Sequence, residues 1–352
     1  MIVHQLTLGR FRNYGSLHLS FEPGINVITG DNGQGKTNLI EAIHFALTGR
    51  SFRTQRAMEL IQHGHEELYS RVEYAQQDIP HQVMITFGTK GKKVVHNATS
   101  YSTLSSITGA VPTVAIAPSD IAMIMDGPLV RRRELNVLMA QHDPCYVYHL
   151  TRYHHALKAR NVLLKRRSTK TIRVYEELLS EAASYIAAAR EKLCKEIAPL
   201  LTNYFHELTD TPFPIALDYP QLEQKDKGYF LAEYEKNRSY DEQTGTTSIG
   251  PHRDDIRFLI SGKEAKLFAS EGQKRALLTS WKLAELQLLE QKTGCPPVLF
   301  IDDFAIHLDL YRSQRLEQAI HHYPQVFLTT PHNIFKSSTL YRVDGGVAKK
   351  TS

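Results

Sequence analysis

Between residues 172 and 193 the apolar positions fall at Ile172, Tyr175, Leu179, Ala182, Ile186, Ala189 and Leu193, in steps that alternate three and four. That spacing draws one apolar seam along a helix, suited to packing against a second helix. The preceding run, Tyr146, Leu150, Tyr153, Leu157 and Leu164, has similar steps. It opens on Asp143-Pro144, an N-cap with proline at the first helical position, and closes on Lys165-Arg166-Arg167. Only Ser168-Thr169-Lys170 separates the two runs, which predicts an antiparallel helical hairpin. A second helix running from 171 to about 208 would be roughly 57 Å long at 1.5 Å per residue. Pro212 and Pro214 end it, and polar chain follows to about Thr247.

The flanks carry a different pattern. Short strand-like runs at 2–8, 17–21 and 25–29 precede a helix at 38–48, and the runs between Leu68 and about Ala117 predict an antiparallel β region. Beyond 247 come a strand at 256–260, a helix after Ser270, an apolar strand at 298–301, a helix at 311–321 and a strand at 325–330. Strands alternating with helices at both chain ends predict one α/β domain built from residues 1–142 and 248–352, with 143–247 inserted as a helical second lobe.

The chemistry begins where the strand at 25–29 runs into Gly30-Asp31-Asn32-Gly33-Gln34-Gly35-Lys36-Thr37 and then a helix. This is the G-x-x-x-x-G-K-[ST] pattern in the strand–loop–helix setting it needs. Glycines let loop amides turn inward around phosphate oxygens, and the helix start favours negative charge. Lys36 is expected to hold the β- and γ-phosphates of ATP, and Thr37 to ligate Mg²⁺ through its hydroxyl. A glycine-rich turn before an ordinary helix is the bland alternative. Such a loop needs a carboxylate on a second apolar strand, and Val298-Leu299-Phe300-Ile301 ends in Asp302-Asp303. Asp302 is expected to hold the magnesium through its water shell and Asp303 to orient the attacking water. By itself that stretch would read as a buried strand ending in a solvated acidic turn; the upstream loop reverses that reading. Lys36, Asp302 and Asp303 are the expected catalytic residues, and the separation of Lys36 from Asp302 excludes a small GTPase or a nucleotide kinase.

Some 30 residues before Asp302 stands Ser270-Glu271-Gly272-Gln273-Lys274-Arg275. Glycine in a first helical turn is unfavourable unless something must approach closely. A helix start bearing Ser270, Gly272 and Gln273 is an anion site in a chain whose own phosphates already have a loop. Its expected target is the γ-phosphate held by a second copy, giving a two-fold head-to-tail dimer around two ATP molecules. An ordinary capped helix is the alternative.

With these motifs stand Phe11-Arg12-Asn13-Tyr14, Thr48-Gly49-Arg50-Ser51-Phe52-Arg53-Thr54, Arg131-Arg132-Arg133, Gly250-Pro251-His252-Arg253-Asp254-Asp255 and Phe268-Ala269 before Ser270. Over essentially its whole length the chain resembles the RecF family of bacterial recombination mediators, short-armed relatives of the SMC group within the ABC-type ATPases. The resemblance implies an ABC-type head with Ser270, Gly272 and Gln273 as its signature, and Arg12 and Asn13 beside the nucleotide. It also implies an ATP-dependent homodimer on single-stranded and duplex DNA and gap junctions, with RecR and RecO as partners and RecA indirectly. Weak, DNA-dependent ATP hydrolysis would act as the switch. The chain departs from the family pattern at Ile306-His307-Leu308-Asp309, where Ser-Glu-Leu-Asp is usual, and at Asn136, where an acid is usual. His332 is a candidate for contact with the γ-phosphate.

Composition changes this picture little. Forty-two Lys and Arg against 37 Asp and Glu give +5, a mild lean towards a polyanion. Arg131 to Arg133, with Lys158, Arg160, Lys165, Arg166, Arg167, Lys170 and Arg173 around the hairpin tip, are candidate phosphate-backbone contacts. No zinc finger, aromatic platform or base-reading helix is evident, so binding should follow shape more than sequence. Cys145, Cys194 and Cys295 have no pairing or metal-ligand spacing. The start lacks a signal-peptide pattern and no run of about 18 apolar residues occurs, so a cytoplasmic location and no membrane are expected. Two rivals share the loop: a transporter ATPase subunit, which would need a membrane partner and no helical arm, and an SMC-like tether, which would need far more coiled coil.

Overall fold

Ile2–Phe11 (β1) and Tyr14–Ser20 (β2) form an antiparallel hairpin that turns Leu6 and Leu8 to the core on alternate positions, with Phe11 buried three positions on, past Arg10 at a left-handed φ of 56°. Gly24–Thr29 (β3) lacks that alternation: Ile25 to Ile28 are all buried, as in a strand covered on both faces. It leads into α1 (Lys36–Thr48), followed by β4 (Glu67–Gln76), β5 (Ile79–Gly88), β6 (Gly91–His96), β7 (Thr99–Tyr101) and β8 (Thr113–Ile116). The helices α2 (Ala122–Met125), α3 (Pro128–Ala140), α4 (Pro144–Lys165) and α5 (Ile172–Thr209) come next. After β9 (Ile215–Asp218), α6 (Lys227–Lys236) and α7 (Arg238–Thr244) lie β10 (Arg257–Ile260), β11 (Lys263–Glu264), α8 (Ala265–Phe268) and α9 (Glu271–Thr293). The chain closes with β12 (Val298–Ile301), α10 (Leu310–Ile320), β13 (Gln325–Thr329), β14 (Thr339–Asp344) and β15 (Val347–Lys350). This computed structural model describes residues 1–168, 170–219, 225–303, 310–331, 335 and 338–351. Ile306, His307, Asp309 and His332 lie outside the described residues.

The chain divides into two compact units, residues 1–121 with 204–211 and 271–352, and residues 122–203 with 212–270. The second unit therefore claims α3 and the segment 248–270, which the sequence assigned to the α/β part. Arg131 on α3 explains this, because it pairs with Asp255 inside the second unit.

Among its described residues the first unit holds two six-stranded sheets. One is an antiparallel sheet in the order β2-β1-β4-β5-β6-β7. The other runs β15-β14-β3-β13-β12-β8, with β14, β3, β13, β12 and β8 parallel and β15 an antiparallel edge. So the expected antiparallel region stops at β7: β8 leaves it and pairs parallel with β12, Val298 opposite Thr113. Helix α1 shares one core with both sheets. The parallel register aligns Ile301 with Leu328 and Ile28 with Thr329, so β3, β12 and β13 finish at one sheet edge. Ligands of open α/β sheets bind at the carboxyl ends of the strands, and here that edge carries the phosphate loop and Asp302.

In the second unit α4 and α5 run antiparallel, with Arg160 reaching Glu176, Arg152 reaching Glu181 and Tyr146 reaching Arg190. Ile172, Leu179, Ala182, Ile186 and Leu193 are buried as the seam requires, but so is a second row, Glu176, Ala183 and Arg190. The stripe is thus broader than a coiled-coil seam and contains charge. The stretch read as polar chain contains β9, α6 and α7, and β9 pairs with β10 in a three-stranded sheet β11-β10-β9. No helix among the described residues is long and apolar enough to cross a membrane.

Candidate nucleotide site

The loop's shape follows from its glycines at two points. Gly30, at φ 145°, lies so close to β14 that a Cβ there would stand 2.3 Å from the Val343 carbonyl oxygen. Gly35, at φ 114°, caps α1, and a Cβ there would meet the Asn13 amide at 2.5 Å. Helix α1 opens with no side-chain cap and no acid in its first turn, so its first amides favour an anion. Lys36 is buried and bends back over the loop, its Nζ donating to the carbonyls of Gly30 (2.7 Å) and Asp31 (3.0 Å). An ammonium has three protons, so this fold-back holds the charge over the cradle with donor capacity beyond those two bonds.

Across the loop, Thr37 Oγ1 donates to Asp302 Oδ1 at 2.7 Å over a separation of 265 residues. Thr329 Oγ1, at the end of β13, donates to the same oxygen at 2.8 Å and accepts from the Asp303 amide at 2.8 Å. Asp303 takes a left-handed φ of 52°, a strained conformation for a residue with a Cβ. Burial pushes the Asp302 carboxyl above its ordinary value, against the pull of the two hydroxyls. A hydroxyl and a buried carboxylate meeting at one point are hard oxygen donors of the kind Mg²⁺ takes while keeping waters and substrate phosphate in its shell. A cation there would also relieve the desolvation that raises Asp302. The residues fit the ion. Among the described residues no three His, Cys, Asp or Glu gather into a metal site of their own.

Arg12 and Asn13 stand beside this loop, each held by named partners. Arg12 donates from Nε (3.0 Å) and Nη2 (2.9 Å) to Glu41 and from Nη1 to the Glu59 carbonyl (2.7 Å). Glu41 is fully buried on α1, one turn beyond Thr37, and also accepts from Ser51 Oγ and from Arg53 Nη1 at 3.3 Å. Arg53 further donates to Asn38 Oδ1 at 2.8 Å. Asn13 Nδ2 donates to the Gln34 carbonyl at 2.9 Å, while Tyr14 Oη donates to the Gly35 carbonyl at 2.9 Å. Sequence reading missed Glu41, Thr329 and Tyr14 as parts of this cluster. The one available signal was Glu41 itself, an acid among Leu39, Ile40 and Ile43 on the inward face.

Asp31, Asn32 and Gly33 form the exposed crest of the loop. The signature residues sit at the start of α9: Ser270 immediately precedes the helix, and Gly272 and Gln273 lie in its first turn. The helix is anchored by Ala276, Leu277, Trp281, Ala284 and Leu286, all buried. The basic candidates divide. Arg131 and Arg160 are buried and paired, with Asp255 and with Glu176 and Asp241, which removes both from the set facing solvent. Arg173 pairs with Glu177 and Glu235. Lys158, Lys165, Arg166, Arg167 and Lys170 are exposed.

The model of the RecF/RecN/SMC N-terminal domain family matches residues 2–345. A protein named DNA replication and repair protein RecF from Protochlamydia amoebophila is 36% identical over 337 residues, covering 94% of each chain. Its namesake from Halalkalibacterium halodurans is 36% identical over 372 aligned positions, covering 99% of this chain and 100% of its own. A solved structure of the recombination mediator protein RecF-ATP in the RecFOR pathway superposes with a TM-score of 0.93 at 27% identity, covering 99% of this chain and 97% of that one. An Smc head domain from Pyrococcus furiosus, at TM-score 0.57 and 17% identity over 99% of this chain and 95% of its own, shares the fold. The architecture is an ABC-type P-loop ATPase head of mixed α/β structure carrying a helical second lobe. With a third of its residues shared from end to end with proteins of that name, the chain belongs to the RecF family.

Proposed function

We propose that this chain is an ATP-gated DNA-binding protein of recombinational gap repair and replication-fork maintenance. The observation that carries the reading is the convergence of Thr37 and Thr329 on the buried Asp302, beside the Lys36 cradle. Solved RecF structures described as bound to ATP support it. Lys36 and the loop amides bind the triphosphate. Thr37 and Asp302 would hold Mg²⁺, which supplies charge neutralisation on the β- and γ-phosphates. Asp303, whose amide donates to Thr329 Oγ1, orients the attacking water. Ser270, Gly272 and Gln273 of a second copy cap the γ-phosphate, closing a homodimer on DNA. Slow hydrolysis removes that phosphate and releases the DNA. RecO and RecR act with this protein in helping RecA onto gapped DNA; the RecFOR pathway named for the solved relative supports that assignment.

Exposed Lys158, Lys165, Arg166, Arg167 and Lys170 suit phosphate-backbone contact, so retention should weaken steeply with salt. The test is retention on immobilised gapped duplex with and without Mg²⁺-ATP. Wild type should be held only with nucleotide, and Lys36→Met should not be held at all. Equal retention without nucleotide, or by Lys36→Met, would contradict the reading.

A further inference from the structure

The turn between β14 and β15 does more than join two strands. Asp344 pairs with Val347, leaving Gly345 and Gly346 as a two-residue loop, at φ 52° and 80°. Positive φ at both central positions is the turn that matches the twist of a hairpin, and it needs glycine or a similarly tolerant residue. Within such a turn the two central amides have no partner. Here both reach the phosphate loop at one residue, Gln34. The Gly345 amide donates to Gln34 Oε1 at 2.7 Å and the Gly346 amide to the Gln34 carbonyl at 3.2 Å. That carbonyl also accepts from Asn13 Nδ2 at 2.9 Å.

Three donors thus hold the Gln34 residue, and the fit around them is tight. A Cβ on Gly346 would stand 2.5 Å from the Asn13 carbonyl oxygen, backbone that has no soft way to yield. A Cβ on Gly30 would strike the Val343 carbonyl of the same hairpin at 2.3 Å. With the Gln34 carbonyl tied outward, the peptide that follows it presents the Gly35 amide on the opposite side, and the adjoining Gly35 carbonyl is fixed by Tyr14. Preformed amides bind an anion without paying again to order the loop.

We infer that the Gly345-Gly346 turn, acting through Gln34, is a positioning element that sets the second half of the phosphate loop for a nucleoside triphosphate. This rests on the ATP-binding reading above and adds residues some 310 positions away from the loop they serve.

The inference predicts a split in kinetics. Gly346→Ala should raise KM for ATP at least tenfold, equivalent to about 1.4 kcal/mol of lost binding. Its kcat at saturation should stay within about twofold, because Lys36, Asp302 and Asp303 are untouched. Gln34→Met, which keeps volume and replaces the side-chain amide that accepts from the Gly345 amide, should raise KM about threefold and carries the test if Gly346→Ala fails to fold. Val347→Thr, at an exposed position of the same hairpin, should match wild type. Wild-type KM in both loop-facing variants overturns the inference alone, as does a fall in kcat and melting temperature that parallels KM. A wild-type chain that binds no ATP overturns the preceding reading as well.

Discussion

Arg160 separates a DNA contact from a keystone of the fold, and Arg160→Met is the perturbation that decides. The guanidinium is fully buried and donates five hydrogen bonds: two to Glu176 (3.2 and 3.0 Å) and one each to Asp241 (2.7 Å), Thr247 Oγ1 (2.9 Å) and the Tyr234 carbonyl (3.3 Å). It also lies 5.3 Å from the Tyr234 ring centre. Methionine fills most of the volume, so little cavity results, and the loss is that of the charge partner. Glu176 keeps Arg238, but among the described residues the side chain of the buried Asp241 keeps only the Ser248 amide at 3.0 Å. Removing one member of a buried pair costs about 3–5 kcal/mol, and the surviving contacts place this case near 3–4. At 2–4 °C per kcal/mol the melting temperature should fall by roughly 6–16 °C. Urea unfolding followed by circular dichroism measures the loss, alongside retention on gapped DNA at a temperature where both proteins are folded. We expect a large fall in midpoint with DNA retention unchanged. The triple change Lys165→Glu, Arg166→Glu and Arg167→Glu should do the reverse. A wild-type midpoint in Arg160→Met, with retention lost, would refute the assignment.

Asp302→Asn keeps both acceptor bonds and removes a charge whose burial raises its pKa, so the nucleotide-free protein should melt at a higher temperature. The same variant should lose the added stability that Mg²⁺-ATP confers on wild type; scanning calorimetry with and without nucleotide tests both. Burial holds His44 and His252 neutral, each pushed down to about 4. The unfolded chain takes up those protons near pH 6.5, so their contribution is complete above that pH and is lost as pH falls from 6.5 to 4, by at most about 3 kcal/mol per histidine. Urea midpoints across that window should drop, less steeply in His44→Phe, and parallel profiles for the two proteins would count against the buried neutral imidazole.

What the sequence disclosed follows from where the determining contacts lie. Lys36, Thr37 and Asp302 were legible because a loop of fixed spacing between strand and helix, and an apolar run ending in acid, are local patterns. The parallel pairing of β8 was not: Thr113, Val114 and Ile116 are buried with no strict alternation, and their partner β12 lies far along the chain. Arg160 read as a candidate phosphate-backbone contact because periodicity scores residues singly, whereas its burial depends on Glu176 and Asp241 being buried with it. Thr329 is ordinary until folding brings it to Asp302, and Glu41, an acid on an inward face, does not name Arg12 as its partner. Gly345-Gly346 could be read as a turn, but Gln34 as its target could not, since nothing local encodes it.

The central claim is that one triphosphate is held by the loop of one molecule and the signature helix of its twin. Light scattering of the purified protein with a non-cleavable ATP analogue and Mg²⁺ tests it most directly. Wild type should double in mass at saturating nucleotide, while Ser270→Arg binds the analogue with unchanged affinity and remains a monomer. A wild-type mass that nucleotide leaves unmoved, or a Ser270→Arg protein that doubles as wild type does, would contradict it.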